Sequence, residues 1–119
     1  MKEKVAVKKS FALDYEMARY QRITHPFIAT PCHSYVKGEF EYLFMKPFNL
    51  DMHGLDRSYI LRPKHLKIWF ITMLITFDYL HNYAFVAHND LKLSNVLVEG
   101  NVEVFYFTLC DFSLARTKK

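Results

Sequence analysis

His88-Asn89-Asp90-Leu91-Lys92-Leu93-Ser94-Asn95 is followed downstream by Asp111-Phe112-Ser113-Leu114-Ala115-Arg116. Both stretches set polar residues at fixed offsets in an otherwise apolar neighbourhood. A lone Asp or Asn in a loop is most often a turn former or a cap. The joint pattern His-x-Asp-Leu-Lys-x-x-Asn, with a second carboxylate at position 111 after an apolar run, is far more specific. Its residue types supply a proton acceptor, a positive charge and oxygen donors suited to a hard cation.

Outward from these motifs, the chain reads as short strands and a few helices. Val96–Val98 and Val102–Leu109 form two strand candidates joined through Glu99-Gly100-Asn101. Arg62-Pro63 opens the longest helix, because proline suits the first helical position. Leu66, Phe70, Met73, Phe77 and Leu80 make one apolar stripe, and Ile68, Ile71 and Ile75 fill another face, which predicts burial on several sides. Near the N-terminus, Lys4–Lys9 reads as a strand. A helix is expected from about Asp14, with Leu13, Met17 and Tyr20 at helical spacing, ended by His25-Pro26. Phe27–Tyr35 and Glu39–Met45 read as strands around a Lys37-Gly38 turn. Pro47 breaks the second of these, and a short polar segment is expected to about Tyr59. No repeat, low-complexity segment or Gly/Ser-rich linker divides the chain.

Composition bounds the class. The 119 residues suffice for one domain at most, or part of one. A hydrophobic share of 51% and an aromatic share of 17% argue against disorder. The net charge of +4 is spread along the chain without a block of like charges. It reads as a solvated surface and not as a nucleic-acid footprint. Cys32 and Cys110 have no metal or redox spacing, and reduced, buried thiols are expected. The charged start Met1-Lys2-Glu3-Lys4 is unlike a signal peptide, and Ile68 to Phe77 is too short to cross a bilayer. An intracellular chain, cytoplasmic or nuclear and without membrane contact, is the expectation.

Val5-Ala6-Val7-Lys8-Lys9, Tyr79-Leu80-His81, Lys92-Leu93-Ser94-Asn95 and Leu109-Cys110-Asp111-Phe112-Ser113-Leu114-Ala115-Arg116 resemble the eukaryotic protein kinase family, closest to its mitogen-activated and cyclin-dependent branch. The resemblance covers nearly the whole chain. It implies an α+β fold: an N-lobe antiparallel sheet with one helix, a hinge, a long C-lobe helix, a catalytic loop and a β-hairpin. It implies ATP and Mg2+ as cofactors and a protein hydroxyl as acceptor, of serine/threonine type on the strength of Lys92. Asp90 would then be the catalytic base, with Lys92 neutralising charge on the transferred phosphoryl group. Asn95 and Asp111 would hold magnesium. Lys8 would bind phosphate and pair with Glu16. Met45 would be the gatekeeper, Met45 to Phe48 would border adenine, and Ala6 and Leu97 would sandwich it. Tyr20, His88 and Phe112 would stack as an internal spine.

The same resemblance defines the departures. Only Met1–Val7 precede Lys8, so the family's Gly-rich loop is missing, and only Phe112–Lys119 follow Asp111. A partial kinase domain, truncated at both ends, is therefore expected, with an N-lobe remnant at 1–46 and the hinge and first part of the C-lobe at 47–119. The short link from Lys8 to Glu16 should truncate the first helix. Asn89 stands where arginine is common, and Ser113 where the family has glycine. Three readings follow. One is a serine/threonine kinase domain with very low or no activity as an isolated chain. Another is a pseudokinase-type module that docks a partner through the exposed helix. The third is an unstable relic.

Overall fold

Residues 6–11, 33–37 and 40–45 form strands, and burial along 7–11 and 40–44 alternates with the two-residue period of a strand. The computed structural model, which describes residues 4–48, 50–57, 62–100 and 103–117, joins them in one antiparallel sheet. The sheet runs β1 (Ala6–Phe11), β3 (Phe40–Met45), β2 (His33–Lys37) in spatial order. Its register sets Lys8 opposite Leu43 and Ala6 opposite Met45, so Ala6 and Lys8 share a face. The β2–β3 loop is Gly38-Glu39, with Gly38 at φ 62, a left-handed conformation that suits glycine. The expected strand over Phe27–Tyr35 is shortened, because Pro31 lacks the N–H a ladder needs. Ile28 instead forms a parallel bridge with Leu109, and Ala29 N–H donates to the Leu109 carbonyl at 2.9 Å.

The first helix is not α-helical. Two 3₁₀ turns, Ala12–Asp14 and Glu16–Tyr20, meet at Tyr15, whose φ of 38 and ψ of 63 are left-handed. The link from Lys8 is too short for a full α-helical start, and the reversal at Tyr15 aims Glu16 inward. Leu13, expected on the apolar stripe, is fully exposed, while Glu16 and Tyr20 are buried. The turn is capped from the sheet. Glu41 on β3 is buried, and its carboxylate accepts the Glu16 and Met17 backbone amides at 2.8 and 3.3 Å.

The second layer begins with β4 (Leu50–Asp51) and α1 (Met52–Arg57), where only a polar segment was expected. Met52 and Leu55 are buried there and supply the apolar face. Tyr59 lies outside the described residues. The long helix α2 (Pro63–Tyr79) starts at proline as expected and continues as a π-helical turn over Leu80–Ala84. Arg62 N–H donates to His65 Nδ1 at 3.1 Å and helps close its first turn. It is buried on one side only: Met73 and Leu80 are covered, but Phe70 and Leu74 are each 57% exposed. Thr72 and Thr76 can be buried because each hydroxyl donates to a carbonyl one turn back, at 2.7 Å.

Beyond α2, β5 (Val86–Ala87) pairs with β8 (Arg116–Thr117). β6 (Val96–Gly100) and β7 (Phe105–Leu109) form the expected hairpin, with β4 on the outer side of β6. The first strand runs two residues further than expected, and Val102 lies outside the described residues. Two apolar clusters hold the layer. Tyr20, Ile28, Leu80, Leu109 and Phe112 form one, which ties the first sheet's turn to the hairpin. Met52, Leu55, Val96 and Phe107 anchor the other. Each fully buried Leu or Phe contributes about 1.5–3 kcal/mol.

Candidate active site

Strand β1 delivers Lys8 to the junction of the two layers. Its ammonium donates to both Glu16 carboxylate oxygens, at 2.8 and 3.1 Å, and to Asp111 Oδ1 at 2.9 Å. The Tyr20 hydroxyl adds a bond to Glu16 Oε2 at 3.0 Å. The pair with Glu16 thus forms despite the short link, because the Tyr15 reversal and the Glu41 cap orient the turn. Burial alone would lower the Lys8 pKa, but the bonds and charges of Glu16 and Asp111 outweigh it and the net shift is upward. Burial, then the Glu16 carboxylate, push the Tyr20 phenol up.

Asp111 follows β7 in a left-handed conformation, φ 62, which Asp tolerates better than most residues. Beneath it, Phe112 is fully buried. The Phe112 ring meets Tyr20 at 5.3 Å and His88 edge-on at 4.7 Å between centroids, so the expected spine is assembled. Ser113 donates twice to Asp111 Oδ1, from its hydroxyl at 2.6 Å and its amide at 3.1 Å. Burial would raise the Asp111 carboxyl, yet the Ser113 hydroxyl and then Lys8 reverse this and bring it down to about 2.

The loop from His88 to Asn95 is braced from within. His88 Nε2 lies 2.9 Å from the Cys110 carbonyl, and Asp90 N–H donates to His88 Nδ1 at 3.2 Å. A carbonyl can only accept and an amide N–H only donate, so these partners assign the proton to Nε2. Asn95 Nδ2 donates to the Asp90 carbonyl at 2.9 Å and to Asp90 Oδ2 at 3.1 Å. Lys92 Nζ approaches Asp90 Oδ2 at 3.8 Å from solvent. Asn89, at φ 68, donates to the Leu114 carbonyl at 3.2 Å.

A cavity of about 290 Å³ opens between the layers. Lys8, Asn95 and Asp111 supply its polar wall, and Ala6, Met45, Phe48 and Leu97 its apolar one. Ala29, Lys46 and Cys110 also line it. Lys46 falls within the stretch Met45 to Phe48 expected to border the base, whereas Ala29 and Cys110 were not expected there. Ala29 carries no chemical signal, and Cys110 reads in sequence only as a buried thiol. Glu16, Asp90 and Lys92 are not among the lining residues; Glu16 is linked to the cavity through Lys8 and Tyr20, which both line it, and Asp90 through Asn95. The volume sits at the lower end of small-ligand sites, which span about 300–1,000 Å³. Glu41, which orients Glu16, was also missed. Its one signal was a carboxylate at a core-facing position of a strand.

The donor chemistry fits magnesium. Asp111 and Asn95 offer hard oxygens, and the bonds from Asn95 Nδ2 to Asp90 leave its amide oxygen as the end able to ligate a cation. Among the described residues no three His, Cys, Asp or Glu side chains gather as a metal site. Two protein donors suit an ion whose remaining ligands are phosphate and water.

The chain matches the protein kinase domain family over residues 1–119. It belongs to that family. Mitogen-activated protein kinase 7 of Arabidopsis thaliana is 35% identical over 79 residues, which are 66% of this chain and 20% of that protein. Mitogen-activated protein kinase 2 of Pneumocystis carinii is 29% identical over 129 residues, 97% of this chain and 36% of that protein. Mitogen-activated protein kinase MKC1 of Candida albicans is 37% identical over 82 residues, 66% of this chain and 16% of that protein. The kinase domain is thus of the serine/threonine type and the mitogen-activated branch, and it spans between 16 and 36% of the length of these relatives. Among the described residues of this kinase domain, no helix is long and apolar enough to cross a membrane.

Proposed function

We propose that this kinase domain binds ATP with magnesium in the cavity between its layers and presents the γ-phosphoryl group to a protein hydroxyl at Asp90. The observation that carries this reading is the meeting of Lys8, Asn95 and Asp111 on one cavity whose other wall is apolar. Ala6 and Leu97 enclose the adenine ring, Met45 closes the back, and the chain near Phe48 meets the base edge. Lys8, steered by Glu16, neutralises phosphate charge. Asn95 and Asp111 ligate magnesium, which when bound neutralises charge on the phosphate oxygens. Asp90, oriented by Asn95, accepts the hydroxyl proton, and Lys92 balances charge beside it. We divide the chain into an N-lobe part, 1–46, and a hinge and C-lobe part, 47–119, and assign it to the cytoplasm or nucleus.

The chain spans a minor share of its relatives' length, so we assign the 119 residues alone nucleotide binding with very low transfer. The test is a thermal shift with ATP or ADP and magnesium. A metal-dependent rise lost in Asp111→Ala supports the site, and no rise with any nucleotide sinks it. The exposed α2 row of Phe70, Ile71, Leu74 and Ile75 favours a second reading, a pseudokinase-type module with a protein partner on that face. Survival of partner capture in Asp111→Ala, and its loss in Phe70→Ser/Leu74→Ser, would favour it.

A further inference from the structure

We propose that Ser113 is a positioning residue whose hydroxyl competes with the metal ion for Asp111; this inference rests on the magnesium reading above. Asp111 Oδ1 receives three donors: the Ser113 hydroxyl at 2.6 Å, the Lys8 ammonium at 2.9 Å and the Ser113 amide at 3.1 Å. A carboxylate oxygen offers about two lone-pair directions, so Oδ1 is saturated. Oδ2 accepts no hydrogen bond among the described residues. A cation bridging Asp111 to phosphate therefore has Oδ2 alone, or it displaces a donor from Oδ1.

The three donors differ in how they can leave. Lys8 already holds both oxygens of Glu16 and can turn toward phosphate without losing that pair. The Ser113 amide is fixed by the backbone. The hydroxyl rotates about one torsion, and its short contact lies in the range of charge-assisted bonds. A glycine at this position, as the family carries, would bring the amide and no hydroxyl. The serine thus adds one bond that holds the carboxylate in its metal-free setting, and metal entry through Oδ1 must break it. The consequence is weaker metal affinity with no change in the apolar wall that receives the base.

The test is a Mn2+ titration of the full chain with saturating ADP, with free Mn2+ read by electron paramagnetic resonance. Ser113→Ala is expected to bind Mn2+ roughly three- to tenfold more tightly than wild type, the net scale of one intramolecular hydrogen bond. Ser113→Thr, which keeps the hydroxyl, should stay within about twofold of wild type, and Asp111→Asn should abolish binding. ADP affinity without metal should be equal in wild type and Ser113→Ala, which a general loosening of the site would not give. Mn2+ binding in Ser113→Ala no tighter than wild type, with Asp111→Asn still binding no Mn2+, overturns the role of Ser113 alone. Tight binding by Ser113→Thr overturns it as well. Absence of Mn2+ binding in wild type and Ser113→Ala alike removes the metal site and this inference with it.

Discussion

The Lys8 ammonium lies 2.9 Å from Asp111 Oδ1, across 103 positions of chain. The contact joins β1 to the end of the β6–β7 hairpin and closes one wall of the cavity. Its second arm reaches Glu16, a carboxylate only 1% exposed whose other donor is the Tyr20 hydroxyl. Removing the cation strands that carboxylate. Because Lys8 itself is 32% exposed, the expected cost in Lys8→Met is about 1–3 kcal/mol, below the figure for a fully buried pair. Urea unfolding of Lys8→Met and of Lys8→Met/Glu16→Gln checks this. The double variant should recover most of the loss, and a double variant weaker than the single one contradicts the ion-pair account.

The pH response follows from the same group of charges. Burial opposes the Asp111 charge, but Ser113 and Lys8 bring its carboxyl to about 2 from an ordinary 3.8. A depressed folded-state value means the unfolded chain binds more protons below about pH 4. The stabilisation is therefore present above pH 4 and is lost as pH falls from about 4 to 2. Lys8 acts at the opposite end: its raised value keeps its contribution full below 10.5 and loses it only as pH rises beyond that. Melting temperatures of wild type should fall more steeply from pH 4 to 2 than those of Asp111→Asn. Parallel profiles would refute the assignment.

The catalytic-loop and Asp111 motifs were legible because each packs several chemical constraints into a few adjacent positions. Strand β3 was legible beside the Lys37-Gly38 turn, and helix α2 by its apolar recurrence and Pro63. The 3₁₀ geometry of Ala12–Tyr20 was not, because Leu13, Met17 and Tyr20 fit a helical period that the short tether to Lys8 forbids. Neither was α1, whose six residues include Gly54 and are too few for a periodic signal. Cys32 proved exposed where a buried thiol was expected, because it sits at the outer end of the edge strand β2, its amide bonded to the Phe44 carbonyl at 2.8 Å. Glu41 eluded the pattern for a different reason. Its burial depends on two amides of a distant turn, and no local rule connects them.

Glu41 is therefore a place to test how the Lys8–Glu16 pair is built. Its oxygens accept the Glu16 and Met17 amides, and the side chain is fully buried. Glu41→Leu leaves both amides without their acceptor and should cost about 1–3 kcal/mol in urea unfolding. Glu41→Gln keeps one acceptor oxygen and should cost less. Equal losses in the two variants would show that packing, and not capping, is what Glu41 provides.

Gly100 ends β6 at φ 113, and a Cβ there would collide with the Val104 carbonyl oxygen. Gly100→Ala is expected to destabilise by about 1–3 kcal/mol, the scale of a strained backbone conformation held in place. Gly38 offers the contrast, with φ 62 but open space around its missing side chain. Gly38→Ala should cost no more than about 1 kcal/mol. Thermal unfolding of the two variants in parallel checks the order, and a Gly38→Ala loss larger than that of Gly100→Ala would contradict it.

The two cysteines should differ in reactivity. Burial first, and the Asp111 charge second, push the Cys110 thiol up to about 12, whereas Cys32 is exposed. Thiolate is the nucleophile in alkylation, so a thiol held in its protonated form reacts slowly. With iodoacetamide near pH 8, Cys110 should be labelled roughly tenfold or more slowly than Cys32. Peptide mass spectrometry over a time course gives both rates in one sample. Labelling in denaturing urea should bring them together, because both the burial and the neighbouring carboxylate are then gone. Saturating ADP should slow Cys110 further and leave Cys32 unchanged, since only Cys110 lines the cavity. Equal rates for the two thiols in the folded chain would mean that Cys110 is open to solvent and that the cavity wall is not closed as described.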